Sequence, residues 1–527
     1  MAHMDEFRHS AHRLVTTPKL SYRQRLHQLA LLAEDALPYP KLSAEAETAL
    51  ESGLVSDLAE GHAPYRPRYT VPDYSVALRE GSEYLELEPA TGLEDAITNL
   101  QILYHNVPSI TSYPVYFGDL DTLLLPYLDD RDDTALDALL TRFWRFLDRT
   151  IPDAFAHANI GPTNNRIARS VLRVDAALAQ VVPNLTLKYD PTISGDDLLE
   201  LAATAIAAVN KPHVANHPMI SADFPEGYGV VSCYNTLPLG GGSHTLVRLN
   251  LKEAAAGFAG DVDRYLDEAL PAHAALVFEV IEARVRFLVE EAGFYDHHFL
   301  VKEGLLHRDR FTAMFGIFGL TEAIDTLLDG KARYGWDAAA NDLADRIIDA
   351  LARIVDEREL PYCRLGRATL HAQSGIGDDV GITAGARVAI GTEPEVLDHI
   401  GAVAPHHRRF TSGISDIFAL EGSARANPRA IVDVTRGAFA AGMREMTFNV
   451  EGCDLVRVTG YMVKLSDIEK WKREGSRVAS TVLGAQSVEN WGLLGRTPRV
   501  ISHEDMGQSV TGPMESRPET SRDTIPG

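Results

Sequence analysis

The chain has 527 residues, of which 45% are hydrophobic and 24% charged, a composition typical of a globular protein with a large buried core. Its net charge of −24 predicts repulsion from phosphate backbones and anionic lipid surfaces, so we expect binding neither to nucleic acid nor to membranes. No apolar run reaches the roughly eighteen residues of a transmembrane helix, and three cysteines are too few for a disulfide scaffold, which favours a reducing cytoplasm.

The chain begins with twelve polar residues that lack the apolar stretch of a secretory signal. Their Ala2-His3-Met4 start resembles a vector-derived tag, so residues 1–12 are predicted to be a disordered tag. From 13 to 150 the pattern is mainly helical. Apolar residues recur there at helical spacing, for example at Leu26, Leu29, Leu32, Leu136, Leu140 and Phe143. A Pro-punctuated segment over 107–119 interrupts these helices and is predicted to be extended.

Helices and short apolar strands then alternate along the middle of the chain. A helix is predicted over 167–181 and a strand over 185–189. A second helix is predicted over 195–209, with Ser194 as its N-cap. The following stretch, 210–247, is dense in Pro, Gly, His and Asn, which predicts loops.

The second half of the chain continues this alternation. A long amphipathic helix is predicted over 261–291, and 315–323 has the pattern of a strand that turns into a helix. Alternation of helices with apolar strands favours an α/β class. Residues 13–500 contain no fixed-period repeat and no clear linker, so we expect one domain, and the polar composition of 501–527 predicts a disordered C-terminal tail.

The run Arg457-Val458-Thr459-Gly460-Tyr461 has two interpretations. A glycine between apolar runs usually makes a tight turn, because it adopts backbone conformations that other residues resist. Alternatively, Gly460 stores a radical, since loss of one hydrogen from its Cα leaves a planar centre delocalised between the amide nitrogen and the carbonyl. A side chain on that carbon would clash in the planar form and obstruct close approach, so this chemistry requires glycine.

The second chemical candidate is Cys233. Free cysteines are more often small buried hydrophobes than catalysts. Cys233 differs because its surroundings are loop-rich and polar, with glycines before it and Gly240–Gly242 after it. Cys363 and Cys453 lack such a setting and are predicted to serve in packing.

An Arg-Val-x-Gly-Tyr run that follows a cysteine loop by 227 residues (460 − 233) resembles the glycyl radical enzymes. That group includes pyruvate formate-lyase, the diol- and choline-type eliminating enzymes and the anaerobic ribonucleotide reductases. The nearest resemblance is to the YjjI-like branch. It runs over most of 13–500, through the Cys233 loop, Gly240–Leu251, Phe315–Ala323 and the Gly460 loop.

The resemblance implies a ten-stranded α/β barrel of two five-stranded halves, surrounded by helices, inside which the Cys233 and Gly460 loops meet. It implies no permanently bound cofactor, because a separate radical S-adenosylmethionine activase with an iron–sulfur cluster would install the radical on Gly460. Cys233 would give its hydrogen to Gly460, and the resulting thiyl radical would take one from substrate. This chain has no closely spaced cysteine triplet to hold such a cluster. The enzyme is expected to be anaerobic and oxygen-sensitive.

Two residues beside Cys233 differ from known members of the group. Pyruvate formate-lyase carries two adjacent cysteines, whereas Tyr234 follows Cys233 here, so acyl transfer is not expected. Diol-type eliminating enzymes place a glutamate two residues after the cysteine as general base. This chain has Asn235 there, an amide that cannot take up a proton, so an Asp or His from another loop would have to substitute.

Weaker candidates for substrate binding or proton transfer surround these loops in the sequence. His217 and His244 can titrate near neutral pH. His213 and His217 have i, i+4 spacing, but flanking prolines disfavour a regular helix and with it a zinc site, and we expect no metal. The run 240–245 lacks the lysine of a phosphate-binding loop and is predicted to be a mobile turn or a substrate-cradling segment. The remaining candidates are Asn235, Tyr113, Asp119 and Glu226.

The resulting hypothesis is a cytoplasmic glycyl radical enzyme that acts on a small polar substrate by bond cleavage or elimination, with a lyase- or hydrolase-like outcome. Hydroxyl-bearing amides such as threonyl dipeptides are one candidate class for the YjjI-like branch. Expected partners are the activase and the small-molecule substrate, with a homodimer as one open assembly. One alternative is a catalytically silent barrel that binds a ligand or regulates another enzyme, against which the retained pair of Cys233 and Gly460 argues. The other, nucleotide reduction, is disfavoured because three scattered cysteines cannot form the paired Cys-x-x-Cys zinc site of the anaerobic reductases.

Overall fold

Helices and strands alternate through most of the chain, which confirms the predicted α/β class. The computed structural model describes residues 2–58, 65–110, 113–373, 375, 379–477, 481, 485 and 495–501. Its helices are α1 Ala2–Thr16, α2 Tyr22–Glu34, α3 Ala44–Glu51, α4 Tyr74–Glu80, α5 Leu93–Tyr104, α6 Leu120–Leu124, α7 Asp133–Thr150, α8 Arg166–Leu178, α9 Gly195–Val209, α10 His217–Ser221, α11 Leu251–Ala254, α12 Val262–Arg264, α13 Leu270–Arg286, α14 Phe294–His297, α15 Phe299–Lys302, α16 Leu320–Leu327, α17 Ala338–Glu357, α18 Val396–Val403, α19 Pro428–Ala440 and α20 Leu465–Glu474. Its strands are β1 Val55–Asp57, β2 Tyr69–Val71, β3 Tyr116–Asp119, β4 His157–Ile160, β5 Asn184–Tyr189, β6 His213–Asn216, β7 Tyr228–Val231, β8 Asn235–Pro238, β9 Gly241–Asn250, β10 Phe311–Phe318, β11 Thr369–His371, β12 Ile417–Leu420, β13 Glu445–Val450, β14 Leu455–Arg457 and β15 Met462–Lys464.

The predictions for the two ends of the chain have different outcomes. Helix α1 covers residues from Ala2 onward, which differs from the disordered tag predicted over 1–12. The tail predicted over 501–527 lies, from residue 502 onward, outside the described residues. Within the described ranges, no helix is both long and apolar enough to cross a membrane.

Six strands form the first sheet, in the order β12–β13–β6–β5–β4–β3. Strands β3 to β6 run parallel, with helices in the connections between them, and β12 and β13 are parallel to each other. The two groups meet at an antiparallel pair in which Glu445 of β13 lies opposite Ala215 of β6. All of β5 is buried, as expected for a strand covered on both faces.

The second sheet is built around β9. Its order is β1–β9–β10–β11, with β2 also paired to β9. Strands β9, β10 and β11 run parallel, while β1 and β2 are antiparallel to β9. Two hairpins, β7–β8 and β14–β15, stand apart from both sheets in their hydrogen bonding. Because β7 contacts β3 and β4 while β8 contacts β9, the β7–β8 hairpin lies between the two sheets.

Most of the predicted elements are confirmed. The helices expected over 167–181 and 195–209 are α8 and α9, and the strand between them is β5. The strand-to-helix pattern at 315–323 is β10 followed by α16. The helix expected over 261–291 contains one π-helical turn before α13, at Tyr265–Ala269, and one after it, at Phe287–Glu291. Ser194 stands at the predicted N-cap position of α9, but its hydroxyl donates to the Pro162 carbonyl (2.7 Å) and accepts no helix N–H.

The loop prediction for 210–247 was wrong. This stretch contains β6, α10, β7, β8 and most of β9. A Cβ on Gly241 would overlap the backbone of Arg310, and one on Gly242 would overlap that of Tyr69. The glycines at the start of β9 therefore allow neighbouring backbones to approach closely, and the segment is a buried strand and not a mobile turn.

Candidate active site

Cys233 lies at the tip of the β7–β8 hairpin, between the two sheets. The residues on both sides of it adopt left-handed backbone conformations, with φ of 49° at Ser232 and 62° at Tyr234. Such conformations cost a residue with a side chain on the order of 1–3 kcal/mol each, so the surrounding structure must enforce them. The thiol is buried, with 7% of the residue exposed. This turn therefore fixes one cysteine inside the protein at a conformational cost.

Gly460 lies in the turn of the second hairpin, where the Val458 N–H donates to the Tyr461 carbonyl (3.1 Å). Its φ is not in the left-handed region, so the turn itself does not require glycine. The requirement comes from space, because a Cβ at Gly460 would overlap Cα and Cβ of Cys233 and lie 2.9 Å from its Sγ. A carbon–carbon bond is about 1.5 Å long. The Cα of Gly460 is therefore within about 4.4 Å of the Cys233 Sγ.

One arginine holds the two loops together. Arg457, three residues before Gly460, donates to the Tyr234 hydroxyl and to the Asn210 carbonyl (2.5 Å). Its guanidinium also lies over the Tyr234 ring, 5.3 Å from the centroid. Asn184 donates a further hydrogen bond to the Tyr234 hydroxyl (3.0 Å). Since both Arg457 and Tyr234 are fully buried, this contact couples the geometry of the glycine loop to that of the cysteine turn.

The buried side chain of Glu445 is linked to the cysteine turn through Ser415. The Ser415 N–H donates to Glu445 Oε1 (2.5 Å), and the Ser415 hydroxyl donates to the Cys233 carbonyl (3.2 Å). The other Glu445 oxygen lies 3.1 Å from Nε2 of His213, whose ring stacks on Tyr234 with centroids 4.2 Å apart. Burial raises the pKa of Glu445 to about 8 and lowers the pKa of His213 well below its usual value. These shifts favour the neutral form of both groups, in which the carboxyl O–H of Glu445 would donate to His213.

This neutral pair predicts a pH-dependent stability that Glu445→Gln should remove. Because the folded pKa of about 8 exceeds the usual 4.5, the folded protein keeps a proton that the unfolded chain has lost. The stabilisation is complete below pH 4.5 and is lost as the pH rises through about 8, by up to about 1.4 kcal/mol per pH unit. Glutamine keeps an acceptor for Ser415 and a donor for His213. Thermal unfolding across this range should show the wild-type Tm falling relative to the variant; parallel Tm profiles would contradict the assignment.

A buried arginine, Arg387, is linked to the cysteine turn through Gln373. Arg387 donates from Nε to the Ile414 carbonyl (3.2 Å) and from Nη2 to the Gln373 carbonyl (3.1 Å). Gln373 in turn donates to the Tyr234 carbonyl (3.0 Å). Burial lowers the pKa of Arg387, and Cys233 is among the groups whose charge acts on it. Arg387 is thus linked through Gln373 to the backbone of the cysteine turn.

Among the weaker sequence candidates, Asn235 is the one that lies beside Cys233. It is the first residue of β8 and fully buried. Its Nδ2 donates weakly to the Val231 carbonyl (3.4 Å), and within the described chain its Oδ1 accepts no hydrogen bond. An amide oxygen facing the cysteine turn can accept a hydrogen bond but cannot remove a proton.

Two other candidates lie together at the opposite end of the hairpin. Asp119, at the end of β3, accepts from Nζ of Lys188 (2.8 Å). The same ammonium lies 4.1 Å from the centre of the Tyr228 ring. Nδ1 of His217 is hydrogen-bonded to the Tyr228 hydroxyl (3.0 Å), and burial lowers the pKa of His217. Asp119 and His217 thus form one polar cluster at the base of β7, five residues along the hairpin from the thiol.

The last three candidates have contacts elsewhere. His244 is bonded to the Tyr295 hydroxyl (2.7 Å), and burial lowers its pKa to about 4. Glu226 forms an ion pair with Arg364 (2.7 Å). Tyr113 is half-buried and packs beside a histidine of α2. The structure does not bring these side chains to Cys233, and a role for them in substrate binding stays a prediction.

No sequence pattern pointed to Glu445 or Arg387, which lie far along the chain from Cys233. His213 was considered only for its spacing from His217, from which we expected no metal site, and its place beside Tyr234 was not predicted. In the structure the two rings have separate partners, with His213 bonded to Thr186 and Glu445. No group of three or more His, Cys, Asp or Glu in the described part of the chain is arranged to share a metal ion.

Comparison with known sequences identifies a family. The profile of the family "Glycyl radical enzyme YjjI-like" matches residues 20–499. The protein YjjI of Escherichia coli (strain K12), itself uncharacterized, is 51% identical over 507 residues, covering 95% of this chain and 98% of the relative. An uncharacterized protein of Haemophilus influenzae is 40% identical over 473 residues, covering 87% of this chain and 91% of its own.

Comparison with solved structures concerns the fold. Hydroxyproline dehydratase from Clostridioides difficile, solved with trans-4-hydroxy-L-proline bound, has a TM-score of 0.67 at 12% identity, covering 93% of this chain and 88% of its own. The anaerobic ribonucleotide reductase of Thermotoga maritima with glycerol in the active site has a TM-score of 0.65 at 14% identity and 89% coverage of each chain. The B12-independent glycerol dehydratase of Clostridium butyricum has a TM-score of 0.63 at 12% identity, covering 93% and 87%. These likenesses confirm the predicted α/β barrel fold.

Proposed function

The chain belongs to the YjjI-like family of glycyl radical enzymes, and from this premise we propose that Gly460 stores the radical and that Cys233 passes it to the substrate. The observation that carries the proposal is the contact between the two residues. A Cβ at Gly460 would overlap Cys233, so the glycine is needed for close approach and not for a turn conformation. The silent-barrel alternative gives no reason for such a contact.

Each step of the proposed cycle transfers one hydrogen atom. A separate radical S-adenosylmethionine activase removes a hydrogen atom from Cα of Gly460. That Cα then takes the hydrogen from the thiol of Cys233, which restores the CH₂ of Gly460 and leaves a sulfur radical. The sulfur takes a hydrogen from a substrate C–H bond and returns it to the product radical after the bond is broken. Burial of both residues keeps bulk water away while the radical moves.

The residues around Cys233 narrow the reaction. Tyr234 occupies the place of a second cysteine, which argues against acyl transfer. Asn235 occupies the place of the general base of diol-type enzymes, and Glu445 holds its proton near neutral pH, so neither is a ready base. We propose bond cleavage or elimination on a small polar substrate in the cytoplasm, with hydroxyl-bearing amides such as threonyl dipeptides as a candidate class.

The direct test is radical formation. Purified protein is incubated without oxygen together with its matched activase and S-adenosylmethionine, and the EPR spectrum is recorded. We expect an organic radical signal near the free-electron position, split into two lines by the one hydrogen left on Cα of Gly460. A parallel sample without activase should show no signal. If an activase of demonstrated activity yields no signal with wild type, the proposal fails.

A further inference from the structure

A cavity of about 230 Å³ lies beside the glycine loop. Thr459, the residue before Gly460, forms part of its wall together with Arg387 and Glu322. Asp379, which forms an ion pair with Arg248, and apolar side chains such as Ile382 and Val388 also line it. Pockets for drug-sized ligands commonly measure about 300–1,000 Å³. This cavity therefore suits a smaller metabolite with a few polar groups.

The cavity contains a buried cation with spare hydrogen-bonding capacity. Arg387 is 3% exposed, and its two hydrogen bonds, from Nε and Nη2, go to backbone carbonyls. Over the described ranges of the chain, no carboxylate forms an ion pair with it and Nη1 donates no hydrogen bond. A buried guanidinium is stable when a carboxylate or another anion accepts its hydrogen bonds. Arg387 thus offers an anion-binding group to the cavity.

Two further polar atoms of the wall are buried without a hydrogen-bond partner among the described residues: the hydroxyl of Thr459 and Oε2 of Glu322. The other Glu322 oxygen is occupied by the N–H (2.9 Å) and the hydroxyl (2.6 Å) of Thr383. Buried polar atoms are nearly always paired in native proteins, so a ligand that pairs with both is the simplest account of their arrangement. Oε2 of Glu322 can only accept from a donor such as an ammonium or hydroxyl group.

A second arginine, Arg496, adds positive charge to the wall of the cavity. Arg496 also lines the cavity, and it is close to Glu393 (3.6 Å). Burial, followed by the charge of Arg387, lowers the pKa of Arg496 to about 10. The buried carboxylate of Asp416 acts on both guanidinium groups, and an anion bound in the cavity would add to this stabilisation.

We propose that this cavity binds a small zwitterion of the amino acid or dipeptide type, with its carboxylate on Arg387 and its ammonium group on Glu322. As the substrate site of the enzyme it rests on the function proposed above, and Thr459 in its wall is the residue that precedes Gly460 in the chain. The zwitterion class includes threonyl dipeptides and free hydroxy amino acids. It excludes neutral polyols, which carry no anion for Arg387.

Binding can be measured without the radical, on protein that has not been activated. Calorimetric titrations use L-threonine, threonylglycine, L-threoninamide and N-acetyl-L-threonine, so that the amide removes the negative charge and the acetyl group the positive one. At least one zwitterion should bind saturably, and removal of either charge should weaken binding about tenfold or more. Arg387→Gln should give the same loss for the zwitterion. Arg408→Gln serves as the matched control, since Arg408 is half-exposed and pairs with Asp349 away from this cavity.

Two outcomes would overturn the proposal: no zwitterion binding by wild type, or unchanged binding by Arg387→Gln. If Arg387→Gln fails to fold, Thr459→Val and Glu322→Gln replace it. Thr459→Val removes a hydroxyl without a partner, so its Tm should not fall below that of wild type, while its zwitterion affinity should decrease. Glu322→Gln should lose the preference for L-threonine over N-acetyl-L-threonine, and a retained preference counts against the proposal. Because these titrations need no radical, their failure is separate from failure of the EPR experiment.

Discussion

Replacing Gly460 with alanine should abolish the EPR signal of the activated protein and protect its backbone from oxygen. A methyl group at this position would overlap Cα and Cβ of Cys233, so the loop must shift even before activation. Overpacking of this kind usually costs about 1–3 kcal/mol, which should also lower the Tm. In wild type, air admitted after activation should cut the chain at Gly460 and release the 67 residues that follow it (527 − 460). Gly460→Ala should stay intact under the same exposure.

The matched control for this variant is Gly437→Ala. Gly437 lies in α19, its φ is ordinary, and a Cβ there meets no other atom within 4 Å. This control should keep the EPR signal and the oxygen cleavage of wild type, with a Tm at or slightly above that of wild type because alanine favours the helix. A signal of normal intensity in Gly460→Ala would show that the radical resides on another residue.

The second large effect is expected for Cys233→Ala, which should keep the glycyl radical and lose turnover. Loss of a covalent catalyst typically lowers kcat by about 10⁴-fold or more. A readout that needs no substrate uses D₂O. The Cys233 thiol becomes S–D in this solvent and delivers deuterium to Cα of Gly460, so the two-line splitting of the wild-type EPR signal should collapse.

In Cys233→Ala no thiol lies next to the glycine, and the splitting should persist in D₂O. Cys363→Ala and Cys453→Ala are the controls, because both thiols are buried away from this turn and Cys453 contacts the Ala208 carbonyl (3.3 Å). Their signals should collapse as in wild type. If the splitting also collapses in Cys233→Ala, another hydrogen donor serves Gly460 and the proposed relay is wrong.

Gly460 and Cys233 could be predicted because each is marked by a short stretch of sequence. The Gly460 motif occupies five consecutive positions, and Cys233 stands out by its local composition. Their meeting could be expected from the resemblance, and the need for glycine from the close approach that the chemistry requires. The motif alone left a turn glycine as an equal interpretation, and only the position of Cys233 against Cα decides for close approach.

The supporting residues could not be predicted because long-range pairing places them. Glu445 reaches His213, 232 residues away (445 − 213), through the antiparallel contact of β13 with β6. No local pattern indicates which strands will be neighbours. The error over 210–247 has a related cause, since glycines that allow strands to pack closely, as Gly241 does, have the same composition as glycines of loops.

The Arg457 contact imposes an order on the events of catalysis. Arg457 belongs to the strand that leads into Gly460, yet its guanidinium holds Tyr234 next to the thiol. In the proposed function, the activase must reach a buried glycine, which requires the strand to move outward. Such a movement would also withdraw Arg457 from the cysteine turn. By linkage, each loop stabilises the working position of the other. Under the function proposed above, activation and substrate turnover would then be mutually exclusive states of one molecule, because the Arg457–Tyr234 contact forms only when the glycine loop lies against the cysteine turn.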